Sequence, residues 1–161
     1  MTESKILPLT ELVTRCRQLR AQGKTIVAAN GCFDLIHVGH VRYLEGARAL
    51  GDLLVVAVNA DESVRRLKGA GRPLLPERVR AQMVAAFECV DFVVLFSELT
   101  VGNVLTSLRP DMHVKGTDYT EQSVPERALV KAYGGRVAIA GDPKDHSTRD
   151  LIQRVLEKTR A

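Results

Sequence analysis

A chain of 161 residues, 45% of them apolar, can bury the core of one domain, and no apolar run approaches the ~20 residues a membrane span requires. The net charge of +4 comes from basic residues interleaved with acids, and there is no tryptophan. Nucleic-acid binders cluster basic residues beside aromatics, so a small phosphorylated molecule is the better-fitting anionic partner. The three cysteines, Cys16, Cys32 and Cys89, show no CxxC spacing, which favours reduced thiols over a disulfide framework. MTESKILPLTELVTRC has no basic stretch leading into an apolar one, so no signal peptide is expected and the expected location is the cytoplasm.

Leu9, Leu12, Val13, Cys16 and Leu19 share one helical face, and Gly23 follows as a stop. Thr25–Ala29 reads as a buried strand, Val41–Leu50 as a helix closed by Gly51, and Leu53–Val58 as a second buried strand. A short helix is expected from about Asp61, with Asp61 as its N-cap. KGAGRPLLP, Lys68 to Pro76, is a glycine- and proline-rich loop, and Pro76 suits the first turn of a helix through Glu88. Asp91–Phe96 is a third strand, Val101–Leu108 a helix, and Met112–Lys115 a fourth strand. Glu126–Tyr133 is a helix, Arg136–Ala140 a fifth strand, and a last helix runs from near Ser147 to about Lys158.

Near-continuous apolar strands alternating with helices indicate a parallel sheet covered on both faces. The expectation is a Rossmann-like α/β fold with five parallel strands. It forms one domain over residues 1–161, with residues 1–23 as a leading helix and 24–161 as the core. Such sheets bind ligands beyond the carboxyl ends of their strands, at the switch point.

NGCFDLIHVGHVRYL, Asn30 to Leu44, lies at the end of the first core strand. A helix starting near Val38 presents unpaired N–H groups and positive dipole at its first turn, which attracts phosphate. His37 and His40, three apart, fall on one face of that turn, and Gly39 between them lets a ligand approach the backbone. Imidazoles there can stabilise charge that builds up on a phosphate in a transition state. Two histidines can also simply cap a helix. A metal site is disfavoured: His113 and His146 are the only other histidines, and no cysteine pair supports them.

GCFDLIHVGH resembles the HxGH signature of the cytidylyltransferase-like nucleotidyltransferases, G-x-F-D-x-x-H-x-G-H. VAVNADESVRRLKGAGRPLLP, ECVDFVVLF, VKGTDY and HSTRDLI resemble the adenylyltransferases that make ADP-heptose from heptose 1-phosphate. The resemblance covers nearly the whole chain. Many such enzymes are fused to a sugar kinase, and this sequence reads as the stand-alone form. The reaction implied is attack by a sugar phosphate oxygen on the α-phosphorus of ATP, with Mg²⁺ accompanying the triphosphate. It requires positioning and charge stabilisation and no protein nucleophile.

The resemblance also assigns residues. His37, His40 and Lys68 become the catalytic set, with Lys68 a mobile charge near the phosphates. Cys32, Phe33 and Gly39 face the nucleotide, although Phe33 can equally be core. Asp34 is expected to fix its turn by accepting backbone N–H bonds. Ser147 and Thr148 open the last helix, one hydroxyl capping and the other facing the β- and γ-phosphates. Main-chain groups from Ala140 to Asp142 are expected to read adenine, although GDPKDHST departs from the arginine-threonine of some relatives. Lys115 and Asp118 of VKGTDY are expected to contact the acceptor. Arg80 matches a family arginine and either joins them or only packs, and Arg72 is a weaker candidate than Lys68 for the loop charge near the phosphates. The implied partners are ATP and a phosphorylated sugar, with no nucleic acid or membrane, and a homo-oligomer of two or more copies. Other readings are a cytidylyltransferase for glycerol or amino-alcohol phosphate, an FMN adenylyltransferase, and an ATP-binding sensor without turnover.

Overall fold

The computed structural model describes residues 1–143 and 147–159. Strands β1 (Ile26–Gly31), β2 (Leu53–Asn59), β3 (Phe92–Phe96), β4 (Met112–Lys115) and β5 (Arg136–Ile139) form one sheet in the order β3-β2-β1-β4-β5. Every pairing is parallel. The helices are α1 (Leu9–Ala21), α2 (Val38–Arg48), α3 (Asp61–Lys68), α4 (Glu77–Ala85), α5 (Gly102–Leu108), α6 (Arg127–Ala132) and α7 (Thr148–Thr159). The chain builds outward from β1 to β3, then returns to the other side of β1 for β4. The switch point therefore falls between β1 and β4, and a crevice opens beyond their carboxyl ends.

The strands read as continuous apolar runs because both faces are covered. Leu54, Val56 and Val58 of β2 join Leu44 and Ala47 of α2 and Ala81, Val84 and Ala85 of α4 in one core. Val55 and Ala57, pointing the other way, join Leu12 and Cys16 of α1, Val104, Leu105 and Leu108 of α5 and Val130 of α6 in the second. Fully burying each leucine or valine among them contributes about 1.5–3 kcal/mol. Among the described residues no helix is long and apolar enough to cross a membrane.

The expected elements are all present, with shifted ends. β1 runs on to Gly31, so Asn30 still belongs to the ladder. The helix read from its pattern as Val41–Leu50, and from its first turn as starting near Val38, begins at Val38, where His37 caps it, and ends at Arg48. Lys68 does not lie in the glycine loop. It closes α3, and Gly69, with φ of 94°, turns the chain away after it. Asp61 is not the N-cap of α3: Ala60 holds that position, and the Asp61 carboxylate is taken by Arg80. A 3-10 turn at Thr2–Lys5 was not expected. Beyond it Ile6 bridges Val93, and the Leu7 N–H donates to the Val93 carbonyl at 2.9 Å, which covers the β3 edge.

Candidate active site

The site begins where β1 ends. Phe33 adopts a left-handed conformation, φ 50°, and its ring is buried. That conformation costs ~1–2 kcal/mol, offset by burial of the ring. The ring lies against Gly31, where an added Cβ would come within 3.0 Å of Cε2. The side chain is thus core, and only the backbone can face a ligand. Asp34 follows, 2% exposed. It does not fix its own turn. Its carboxylate accepts from the Leu74 and Leu75 N–H groups, at 2.8 and 3.0 Å, and from Arg72 Nε at 2.7 Å. Burial pushes this carboxyl up, but the two N–H groups and the guanidinium outweigh it and hold it below its ordinary value. Asp34 therefore ties the loop before α4 to the end of β1, and Arg72 is spent on that tie.

The two histidines cap each other's helix. The Gly39 N–H donates to His37 Nδ1 at 3.1 Å, and the His37 N–H donates to His40 Nδ1 at 3.4 Å. The rings stack with centroids 3.9 Å apart, and His40 also meets the Phe33 ring at 5.2 Å. With Nδ1 accepting, each neutral ring carries its hydrogen on Nε2. Burial, and then the charge of His37, lower the His40 pKa to about 4, so His40 is neutral at physiological pH. Capping and phosphate recognition are therefore compatible uses of one ring.

Lys68 is exposed at the end of α3, and its charge reaches the Cys32 thiol. Burial pushes that thiol up, against the pull of Lys68, Arg80 and Arg72. Arg80 is fully buried. Its guanidinium donates to the carbonyls of Leu75 (2.9 Å), Cys32 (2.6 Å) and Asn59 (2.7 Å) and to Asp61 Oδ1 (2.8 Å). It holds together the carboxyl ends of β1 and β2 and is not presented to the crevice.

Across the switch point, the register pairs Ala29 with Val114, which brings Lys115 beside Asn30. Lys115 Nζ donates to Asn30 Oδ1 at 3.3 Å and lies 4.9 Å from the centroid of the Tyr119 ring. Thr117 Oγ1 donates to the Asp142 carbonyl at 2.6 Å, and the Asp142 carboxylate pairs with Arg42 at 2.7 Å. The Ala140 N–H is taken by the Lys115 carbonyl. Asp118 is exposed on the same loop.

At the start of α7, Ser147 Oγ accepts from the Asp150 N–H at 3.1 Å and donates to Asp150 Oδ2, so Ser147 is the cap. Thr148 Oγ1 donates to the Leu35 carbonyl at 3.2 Å, which places the first turn of α7 against the β1–α2 loop. Lys144 to His146 of GDPKDHST lie outside the described residues.

A family model described as cytidylyltransferase-like matches residues 28–154, a span that holds both histidines, Lys68, VKGTDY and Thr148. The chain belongs to the cytidylyltransferase-like family. The cytidylyltransferase-like domain is a nucleotidyltransferase. Relatives include the bifunctional protein HldE of Syntrophotalea carbinolica, 52% identical over 139 residues, which are 86% of this chain and 28% of that protein. HldE of Pelobacter propionicus is 48% identical over 157 residues, 98% of this chain and 32% of that protein. The chain thus spans about a third of the length of these relatives. Among solved structures, a lipopolysaccharide core biosynthesis protein from Thermoplasma volcanium is 30% identical with a TM-score of 0.61, covering 73% of this chain and 94% of that one. A pantoate-beta-alanine ligase from Francisella tularensis, 13% identical with a TM-score of 0.62 over 91% of this chain and 72% of its own, shares the fold.

In this cytidylyltransferase-like domain, contacts around the site are made by several residues that sequence reasoning passed over. Asn30 is a polar residue closing an apolar strand, a signal that was present in TIVAAN. Arg42, on α2, and Tyr43, whose hydroxyl donates to the Val114 carbonyl at 2.7 Å, read from the sequence only as helix residues. Among the described residues no three His, Cys, Asp or Glu side chains converge as a metal site.

Proposed function

We propose that this domain transfers the AMP moiety of ATP to a sugar 1-phosphate, a heptose 1-phosphate, giving ADP-heptose and pyrophosphate. The observation that carries this reading is the mutual capping of His37 and His40, which puts two Nε2 hydrogens at the N-terminus of α2. An acceptor phosphate oxygen attacks the α-phosphorus and forms a new P–O bond. The bond from that phosphorus to the bridging oxygen breaks, and pyrophosphate leaves with the electron pair. No proton need pass through the protein. The Nε2 donors and the helix N–H groups stabilise negative charge as it grows on the α-phosphoryl oxygens. Lys68 adds a point charge from the β2 side of the crevice.

In this reading Thr148 and the first turn of α7 face the β- and γ-phosphates, while Ser147 keeps its capping role. In this reading Mg²⁺ accompanies the ATP triphosphate and offsets its charge. Lys115 and Asp118 take the acceptor, and the likeness to a lipopolysaccharide core biosynthesis protein of Thermoplasma volcanium supports a heptose precursor as its source. A site built to pair hydroxyls discriminates sharply against analogues that lack them.

The test is a pyrophosphate-release screen of ATP, CTP and GTP against heptose 1-phosphate, glycerol phosphate, an amino-alcohol phosphate and FMN. Release with ATP and heptose 1-phosphate supports the proposal. Release only with CTP overturns the adenylyl assignment, and no release with any pair favours a sensor. Asp118→Ala should raise the KM for heptose phosphate with little change for ATP.

A further inference from the structure

Glu126 occupies the N-cap position of α6 but does not cap it: its side chain makes no bond to the first turn. Instead its carboxylate reaches under the sheet toward β4. Oε2 comes to 3.6 Å from Nε2 of His113, just beyond hydrogen-bond length. His113 is fully buried. Both of its ring nitrogens and Glu126 Oε2 are buried without a hydrogen-bond partner. Such groups weaken a fold, and a position needed only for packing is better filled by an apolar side chain.

The third member of this cluster is Lys115, two residues beyond His113 on the same face of β4. Lys115 is the cation read as the acceptor contact, and its neutral partner Asn30 cannot offset a half-buried ammonium. Glu126 supplies the largest charge acting on it, followed by Cys32. The groups around Lys115 are Asn30 of β1 and Cys32 beyond it, Tyr119 and Asp118 on its own loop, His113 on β4, Glu126 at α6, and Tyr43 of α2, bonded to the adjacent Val114 carbonyl.

We infer that Glu126 is a positioning residue for the acceptor half of the site, an internal counter-charge on the same side of β4 that holds Lys115 aimed at the acceptor phosphate, with His113 as its buried support. This rests on the reading of Lys115 as an acceptor contact. Burial pushes Lys115 down and Glu126 pushes it back up. Burial pushes Glu126 up, but His113 and then Lys115 outweigh it and hold the carboxylate ionised. An incoming phosphate would replace part of what Glu126 gives Lys115, so the ammonium is held ready without being neutralised by a direct surface pair.

Two measurements test this. The first needs no substrate: NMR titration of the Lys115 Nζ in the wild type and in Glu126→Gln, a near-isosteric change. Lys115 should titrate at lower pH in the variant, and an unmoved titration overturns the inference. The second is steady-state kinetics with heptose 1-phosphate and ATP varied separately across alkaline pH. Glu126→Gln should raise the KM for the sugar phosphate about tenfold, the scale of one charge-assisted contact, and leave that for ATP within twofold. The alkaline fall in kcat/KM for the sugar phosphate should move to lower pH, and Glu126→Asp should restore part of both. Equal effects on the two substrates, or neither, overturn the inference. Lys115→Ala separates the levels. If it leaves the sugar phosphate KM unchanged, the acceptor reading of Lys115 fails and the inference with it. If it raises that KM while Glu126→Gln does not, only the inference fails.

Discussion

His37 and His40 stack at 3.9 Å between ring centroids while each lends Nδ1 to a backbone N–H of the same helix turn. On the proposed function, structural and chemical duties fall on opposite nitrogens of the same rings. Replacing either histidine removes both, and a fall in rate alone cannot separate them.

The separation can be made with His37→Asn, which keeps a side-chain acceptor for the Gly39 N–H. His37→Ala should lose about 1 kcal/mol of stability with the cap and about 10²-fold or more in turnover with the donor. His37→Asn should keep the stability and still lose the turnover. Urea unfolding beside single-turnover kinetics reads both. Turnover within a few-fold of wild type in His37→Asn would make the pair purely structural.

The depressed pKa of His40 predicts an acid-sensitive fold. In the unfolded chain the ring takes up a proton near its ordinary value of 6.5, whereas in the folded protein it does so only at about 4. Between those values the unfolded state binds more protons, so stability falls as pH drops from about 6.5 to about 4 and is fully retained above that window. His40→Gln should lose less stability than the wild type between pH 7 and pH 4.5. Parallel denaturation midpoints for the two proteins would contradict this.

Lys68 is exposed at the end of α3 and makes no core contact. Lys68→Ala should lower turnover while the melting temperature stays within about a degree or two, because surface substitutions of this kind change stability by less than about 0.5 kcal/mol. Unchanged turnover would remove it from the catalytic set.

Arg80 should behave in the opposite way. Arg80→Ala leaves three strand-end or loop carbonyls and Asp61 without their donor, and should destabilise by about 3–5 kcal/mol. Arg80→Lys should recover little, since one ammonium cannot span a fork of acceptors. Denaturant titration checks this. A stable Arg80→Ala protein with a raised KM for the sugar phosphate would return Arg80 to the acceptor site.

The alternation of elements was legible because a parallel sheet, buried on both faces, writes its strands as unbroken apolar runs. The start of α2 was legible because the capping turn of HVGH needs only local geometry. What was not legible depended on partners distant in sequence. Asp61 reads as a cap in isolation, and only the fold brings Arg80 to it from 19 residues away. For Arg80 the choice between acceptor contact and packing stayed open, because three of its four partners are main-chain carbonyls and leave no trace in composition. Asp34 suggested a local turn, whereas its acceptor oxygens serve amides 40 and 41 residues on. Lys68 was placed in a loop because of the glycines after it, yet Gly69 ends a helix that includes it.

The bond from Thr148 to the Leu35 carbonyl joins residues 113 positions apart. During synthesis the ribosome adds about 5–20 residues each second, so roughly 6–20 seconds separate the emergence of these two partners. Through that interval a nascent chain already carries the HVGH turn but lacks the segment that flanks it in the finished protein. On the proposed function, a newly made chain would offer the α2 end to an anion before it has the segment that would grip a whole triphosphate. Nucleotide supplied during translation would assist folding only at its last stage.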